Sequence, residues 1–352
     1  MAPSKYSAAH QNPQGPGDAR PTAPQIIKDE GLTGKLTAKT ILITGCSSGI
    51  GIETARTLSS TGATLFLTAR NLPKARPALG DILEEGRIEL LEMDQSSLSS
   101  VRRAAAELKT HCQKLNVLIC NAGIMCPPTL ERTDDGFESQ FGVNHLSHFL
   151  LFNLVKDMLL ASSAEGFRSR VVMVSSSGHR NSPPLHADYN FVTLPENYSP
   201  GIAYGQSKTA NVWMANHITR LYGSGNGRVG NEGDIFANSV MPGGIMTGLQ
   251  AHFDEETEKG MRGAKGLKSV EQGAATTVLA AVGREWEGFW GKYLEDCQEA
   301  PLLGEKWTWD GLGYVKHAFD REGEERLWRD SLELVGVTSS PTRDPSSSQN
   351  CG

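Results

Sequence analysis

Short apolar runs alternate along most of the chain with stretches whose apolar residues recur at helical spacing. Thr40-Ile41-Leu42-Ile43-Thr44 is β-branched or aliphatic throughout, whereas Ile50 to Leu58 repeats its small and apolar residues on a helical period. A second apolar run, Ala63 to Ala69, ends at Arg70, and a third is Val117-Leu118-Ile119-Cys120. This alternation predicts an α/β fold, a doubly wound parallel sheet with helices on both faces. Near the other end, Asp320 to Leu334 reads as an amphipathic helix packed on the core or over the mouth of a site. The flanks lack any such period. Residues up to Gly34 are rich in Pro, Gly, Ala and polar residues, and Thr338 to Gly352 is rich in Ser and Pro. Both are expected to be disordered tails around one domain spanning residues 35–337.

Between the first strand and the first helix lies Thr44-Gly45-Cys46-Ser47-Ser48-Gly49-Ile50-Gly51. A helix N-terminus presents unpaired N–H groups and the positive end of its dipole, and glycines admit a ligand close to the backbone. Strand, glycine turn and helix therefore form a phosphate site. The expected fold becomes a single-domain Rossmann fold and the expected ligand a dinucleotide, held by Gly45, Ser47, Ser48, Gly49, Ile50 and Gly51. The spacing is GxxxGxG rather than the commoner GxGxxG. The next strand bears on which dinucleotide. An NAD site usually ends it with an acid for the ribose 2′-hydroxyl, and this strand ends in Ala69 and Arg70. A guanidinium there suits a 2′-phosphate, so NADP(H) is the expected cofactor; the other reading is an arginine that merely ends a strand at the surface. Cys46 is either a thiol activated by the helix N-terminus or a small filler of the loop.

Downstream, Tyr204-Gly205-Gln206-Ser207-Lys208 places a phenol and an ammonium four residues apart, on one face of a helix. The pair is a candidate proton-transfer device. A free tyrosine titrates near pH 10, and a cation lowering that by roughly three units would contribute about 4 kcal/mol toward a phenolate usable near neutral pH.

Taken together these residues resemble the short-chain dehydrogenase/reductase family over roughly Lys35 to Val337. The resemblance implies that Asn121, Ala122 and Gly123 support the sheet beside the cofactor, that Asp94 bonds the adenine amino group, and that Pro242, Gly243, Ile245 and Thr247 contact the nicotinamide end. It makes Asn144 the holder of a proton-relay water and Ser176 the catalytic serine, with Ser175 and Ser177 as competitors. Tyr204 would then protonate a carbonyl oxygen, or act as base in the reverse direction. Lys208 would steady the phenolate and bond the ribose, and Ser176 would donate to the substrate oxygen. Within the family the likeness is to the retinol-dehydrogenase and WW-domain-oxidoreductase branch. Gly291-Lys292-Tyr293-Leu294-Glu295-Asp296-Cys297, Glu325-Arg326-Leu327-Trp328 and the long interval from Ser176 to Tyr204 carry it.

Composition sets limits. The chain has 352 residues, 38% hydrophobic and 21% charged, with a net charge of −6, which suits one substantial core and argues against nucleic acid as a partner. Its six cysteines show no paired ligand spacing, and His145 and His148 have no further ligand beside them, so no metal is expected. No run is long enough to span a membrane, the first residues lack a secretory apolar stretch, and Cys351 lies too near the end for prenylation. A cytoplasmic enzyme with reduced thiols is expected, and a homodimer is left open. The expected substrate is an apolar or aromatic ketone, aldehyde or alcohol. Its walls would come from Gly248 to Lys268, from the insert holding Pro183, Pro184, Tyr189, Phe191 and Tyr198, and from Trp307 and Trp309. The resemblance points to a secondary-metabolite intermediate. The alternatives are a retinoid-, steroid- or lipid-like carbonyl, an activated C=C bond, or a catalytically silent NADP-binding regulator.

Overall fold

The computed structural model describes residues 4–223, 234–253, 255–309 and 311–338. In chain order its elements are α1 (Ala23–Asp29), β1 (Thr40–Ile43), α2 (Ile50–Ser59), β2 (Thr64–Ala69), α3 (Leu72–Leu79), β3 (Ile88–Glu92), α4 (Leu98–His111), β4 (Val117–Cys120), the one-turn α5 (Ser139–Phe141), α6 (Ser147–Ser162), β5 (Ser169–Val174), α7 (Pro200–Tyr222), β6 (Ile235–Met241), α8 (Glu255–Arg262), α9 (Val270–Val282), β7 (Tyr293–Glu295), β8 (Gln298–Glu299) and α10 (Arg321–Leu334). The strands form one sheet in the order β3-β2-β1-β4-β5-β6-β7-β8, parallel except for β8.

Side chains alternate across the sheet and so feed two cores. From β1, Ile41 and Ile43 join Ile26, Leu58 and Val278 of the helices on one face, while Leu42 joins Val101, Phe149, Trp213 and Trp328 on the other. The α/β architecture read from the sequence is thus present. Strand order reverses between β1 and β4, and a crevice opens at that point beyond the strands' C-terminal ends, where open α/β sheets hold their ligands.

Two helices fix the surroundings of that crevice. Pro200 starts α7 at a position where a missing N–H costs nothing, and the helix is buried continuously from Ala203 to Ile218. The amphipathic helix expected near the C-terminal end is α10, capped by the Asp320 side chain. It packs on the core, not over the crevice: Trp328 lies edge-on to Phe149 at 4.8 Å, and Asn216 of α7 donates to Glu324 at 2.8 Å.

The expected disorder up to Gly34 does not hold. Tyr6, Ala23, Ile26, Ile27 and Leu32 are buried in the core, Thr22 caps α1, and α1 lies against α9 and α2. A seven-residue helix is too short to display a period, and the groove that receives it comes from residues far along the chain. The tail expected at the other end lies, from residue 339 onward, outside the described residues.

Candidate active site

The glycine turn and the segment after β4 are built as one unit. Thr44 Oγ1 accepts the N–H groups of Asn121 (2.9 Å) and Ala122 (3.0 Å), and Asn121 Nδ2 donates to the carbonyls of Thr44 (2.8 Å) and Gly45 (3.3 Å). Contact this close excludes side chains. A Cβ on Gly45, where φ is +74°, would lie 2.7 Å from Ala122 Cα, and one on Gly51 would lie 2.3 Å from the Gly45 carbonyl oxygen. Gly49 faces the Thr247 methyl, which closes the turn from the opposite wall.

The result is a cleft of about 660 Å³. Along one side lie Gly45, Ser47, Ser48, Gly49, Ile50 and Gly51, at the far end Arg70 and Asp94, on the floor Asn121, Ala122 and Gly123, and opposite them Pro242, Gly243, Ile245 and Thr247. Ser176, Tyr204 and Lys208 complete it. A dinucleotide fits these residues: the α2 N-terminus ends at a side-chain-free cradle, and Asn121 Oδ1 is buried without a partner. Asp94 Oδ1 is held by the Ser96 N–H (2.9 Å) and hydroxyl (2.7 Å), which fixes the carboxylate at the rim. Cys46 is buried away from the cleft and its thiol is pushed far up by burial, so it fills the loop.

Three serines follow β5, and their contacts separate them. Ser175 Oγ donates to the Lys208 carbonyl at 2.8 Å and is buried, whereas Ser176 Oγ accepts the Gly178 N–H at 3.0 Å and lies near the Tyr204 hydroxyl, whose pKa it draws down. Gly178 lets the tyrosine ring come close; a Cβ there would meet the ring at 2.7 Å. Lys208 Nζ lies 5.5 Å from the centroid of that ring and donates to the Val174 carbonyl at 3.2 Å. The phenol does not behave as the spacing suggested. Burial pushes Tyr204 up to about 12, only partly opposed by the nearby Ser176 hydroxyl, and burial brings Lys208 down to about 8. The cation over the ring is itself desolvated, so at neutral pH the tyrosine keeps its proton.

Asn144 is the one expected site residue that does not line the cleft. It sits fully buried on a widened helical turn, Gly142–Leu146, with Oδ1 accepting the Ile124 N–H (2.9 Å) and Nδ2 donating to the Ile124 carbonyl (3.0 Å) and Ser207 Oγ (2.9 Å). Its Oδ1 and Lys208 Nζ both border the place a Gly123 side chain would take, at 3.0 and 3.4 Å. His148 ties this turn to the phosphate loop: Nδ1 meets the Asn144 carbonyl at 2.9 Å, and Nε2 meets Thr44 Oγ1 at 2.8 Å. Since Thr44 Oγ1 already accepts two N–H groups, its proton goes to Nε2, and the ring is neutral, brought down to about 4 by burial. His145 packs elsewhere, against Ser331 Oγ at 2.9 Å.

Of the three expected substrate walls, Gly248 to Lys268 lines the cleft in part and the other two do not. Leu249, Gln250, Ala251, His252 and Phe253 line the cleft. The insert aromatics lie behind it: Tyr189 stacks on Phe141 at 4.9 Å, Phe191 meets Tyr198 edge-on at 5.4 Å, and the Tyr198 hydroxyl donates to the Pro127 carbonyl at 3.1 Å, shaping the rim indirectly. Trp307 and Trp309 pack on each other and on Arg180, whose guanidinium holds the carbonyls of Trp309 (2.9 Å), Gly311 and Gly313 (2.8 Å each). Aromatic bulk was a poor guide to the wall because large rings serve cores as readily as sites. Met125, Val143, Glu131 and Arg132 face the cleft instead.

Lys74 also lines the cleft beside Arg70 and was not anticipated. The signal was there: Asn71 caps α3 with a hydrogen bond from the Lys74 N–H (2.9 Å), so Asn-Leu-Pro after Arg70 announces a helix start that brings both cations to one end.

The comparisons give the family. The short chain dehydrogenase pattern matches residues 39–190. Short-chain dehydrogenase/reductase prx1 of Penicillium roqueforti is 48% identical over 338 residues, covering 95% of this chain and 96% of that protein. Oxidoreductase calI of Penicillium decumbens is 40% identical over 362 residues, covering 96% and 99%. Among solved structures, an uncharacterized protein from Mycobacterium paratuberculosis matches with a TM-score of 0.63 at 30% identity, over 86% of this chain and 97% of that one. An NADPH-bound carbonyl reductase from chicken fatty liver shares the fold at a TM-score of 0.56 and 19% identity, over 74% and 97%. The chain belongs to the short-chain dehydrogenase/reductase family and is an oxidoreductase. Among the described residues no helix is long and apolar enough to cross a membrane.

Proposed function

We propose that this oxidoreductase uses NADP(H) to interconvert a ketone or aldehyde and an alcohol on an apolar small molecule. One observation carries the reading: Ser176, Tyr204 and Lys208 line the same cleft as the glycine turn and as Arg70 and Lys74. Arg70 just past β2 and Lys74 in the first turn of α3, with no acid directly after the strand, favour a 2′-phosphate over a bare ribose hydroxyl. The glycine turn, Asp94, Asn121 and the Pro242–Thr247 wall would hold the dinucleotide, which supplies or takes the hydride.

The chain's own residues manage the proton. As negative charge develops on a substrate oxygen, Ser176 donates a hydrogen bond to it and Tyr204 transfers its proton. Lys208 stabilises the phenolate left behind, and Asn144, buried beside it, anchors the path by which a proton returns from solvent. Met125, Val143, Leu249 and Phe253 suit an apolar skeleton. Within that class we infer a secondary-metabolite intermediate as the substrate.

The test is a screen of purified protein with NADPH and with NADH against a panel of aliphatic, aromatic and polycyclic carbonyls and activated alkenes, read at the nicotinamide absorbance. Carbonyl turnover with preference for NADPH is expected. Tight cofactor binding with no turnover of any compound would move the chain to a silent, regulatory class, and turnover confined to the alkenes would replace the carbonyl reading.

A further inference from the structure

The N-terminal segment reaches the cleft without lining it. Arg20 is only 4% exposed. Its Nη1 donates to the Gly266 carbonyl (2.8 Å), its Nη2 to those of Leu267 and Gly15, and its Nε to Asp18 Oδ1 (2.8 Å). Asp18 is fixed in turn by Gln272 Nε2 (3.0 Å), which also donates to the Arg20 carbonyl (3.1 Å). Burial works against the Asp18 charge, but these hydrogen bonds outweigh it and hold the carboxylate well below the usual range.

Gly266 and Leu267 are where the loop that lines the cleft with Leu249 to Phe253 returns to the body of the protein. The next residue, Lys268, is buried. Its Nζ donates to the Pro242 carbonyl (3.1 Å) and to Asp296 (2.6 Å), and its N–H to the Gly244 carbonyl (2.8 Å). Its stem occupies the space beside Gly243, where a Cβ would meet Lys268 Cδ at 2.7 Å. His10, from the same N-terminal segment, places its Nδ1 3.2 Å from the same Asp296 oxygen, Oδ1. The segment therefore grips this link twice, through the backbone before Lys268 and through the carboxylate that pairs with it.

We propose that Arg20 is a positioning residue for the substrate half of the cleft. It pins the returning end of the loop and, through Lys268, the Pro242–Gly244 wall, so that the N-terminal segment sets how the loop lies over the substrate. A charged fork is suited to the task because it satisfies two adjacent loop carbonyls that belong to no regular ladder. Without it those carbonyls lose their donors, and the exposed loop of residues 248–253 and 255–267 gains a low-energy opening. The turnover part of the test rests on the proposed function; the exchange part does not.

The experiment uses full-length Arg20→Ala, Arg20→Lys and Asp18→Asn. Hydrogen exchange of residues 248–268 should accelerate at least about tenfold in Arg20→Ala while β1 to β6 keep their protection, with Arg20→Lys intermediate. With a carbonyl found in the screen, KM should rise about tenfold while kcat stays within about twofold, the signature of weakened binding, and NADPH affinity should fall by a smaller factor because the cofactor shares the Pro242–Gly244 wall. If Arg20→Ala does not fold, Asp18→Asn, which keeps the guanidinium but weakens its anchor, should show the same local pattern. Unchanged exchange in 248–268, or acceleration spread evenly over the sheet, would overturn the proposal. Should no carbonyl be turned over, the proposed function falls while the exchange result still decides the role of Arg20.

Discussion

Lys208 carries an ammonium into the cleft floor, and burial alone brings its pKa down to about 8 from 10.5. Folded, the group loses its proton near pH 8; unfolded, near 10.5. Between those values the unfolded chain binds more protons, so this group makes stability rise with pH across that window, and below it the buried charge costs about 3 kcal/mol. Lys208→Met should therefore abolish turnover yet be more stable than the parent at pH 7 without cofactor, by up to about 3 kcal/mol, with the margin shrinking toward pH 10. Denaturant midpoints at the two pH values measure this, and a margin that does not change with pH would remove the linkage. Tyr204→Phe deletes a proton donor and almost no volume, so cofactor affinity should persist while turnover falls at least about a hundredfold. Near-parental turnover would take Tyr204 out of the proton path. Arg70→Ala should weaken NADPH by about ten- to a hundredfold and leave NADH almost untouched, because the charge-assisted contact exists only with the 2′-phosphate. Equal weakening of both cofactors, by titration of their fluorescence, would make the arginine structural. Tyr204, Lys208 and Arg70 were legible from spacing and position alone. The protonation of Tyr204 and Lys208 was not, because desolvation depends on which residues close over them, and that is a property of the folded chain.

Elements were legible where local pattern and final environment coincide. β1, β2 and β4 are continuous apolar runs because both faces of the sheet are covered, and the glycine turn shows itself because backbone-to-backbone contact tolerates no side chain. Gly51→Ala tests that element: its Cβ would stand 2.3 Å from the Gly45 carbonyl oxygen, so the turn or α2 must shift. NADPH affinity should fall by at least about tenfold while the sheet stays folded by circular dichroism, since the strain is confined to the first turn of α2. Unaltered affinity would mean that the α2 N-terminus is not the phosphate site. Elements were illegible where their partners are distant. The insert aromatics and Trp307 looked like substrate walls because sequence records that a ring is present, not which side of a loop it fills. Asn144 was named only by resemblance, and its hydrogen bonds to Ile124 and Ser207 show why: it sits on a widened turn that joins segments separate in sequence.

At the scale of the whole molecule, the N-terminal segment is the part most at odds with its composition. Rich in Pro, Gly and polar residues, it satisfies the usual signature of disorder, yet it folds because it adds to an existing surface instead of building a core of its own. Ile26, Ile27 and Leu32 complete the layer under α2 and α9, and each fully buried aliphatic contributes about 1.5–3 kcal/mol. Their sum, taken as an upper bound, rivals the total stability of about 5–15 kcal/mol typical of a domain. Removing residues 1–33 should therefore lower the melting temperature by roughly 10–20 °C or leave the protein insoluble. The opposite follows from composition alone, which predicts no change. Ile26→Ala in the intact chain separates core loss from any truncation artefact: a cavity at that site should cost about 2–5 kcal/mol by denaturant unfolding. A soluble truncated protein melting within about 2 °C of the parent, together with a neutral Ile26→Ala, would show that α1 rests on the domain without supporting it.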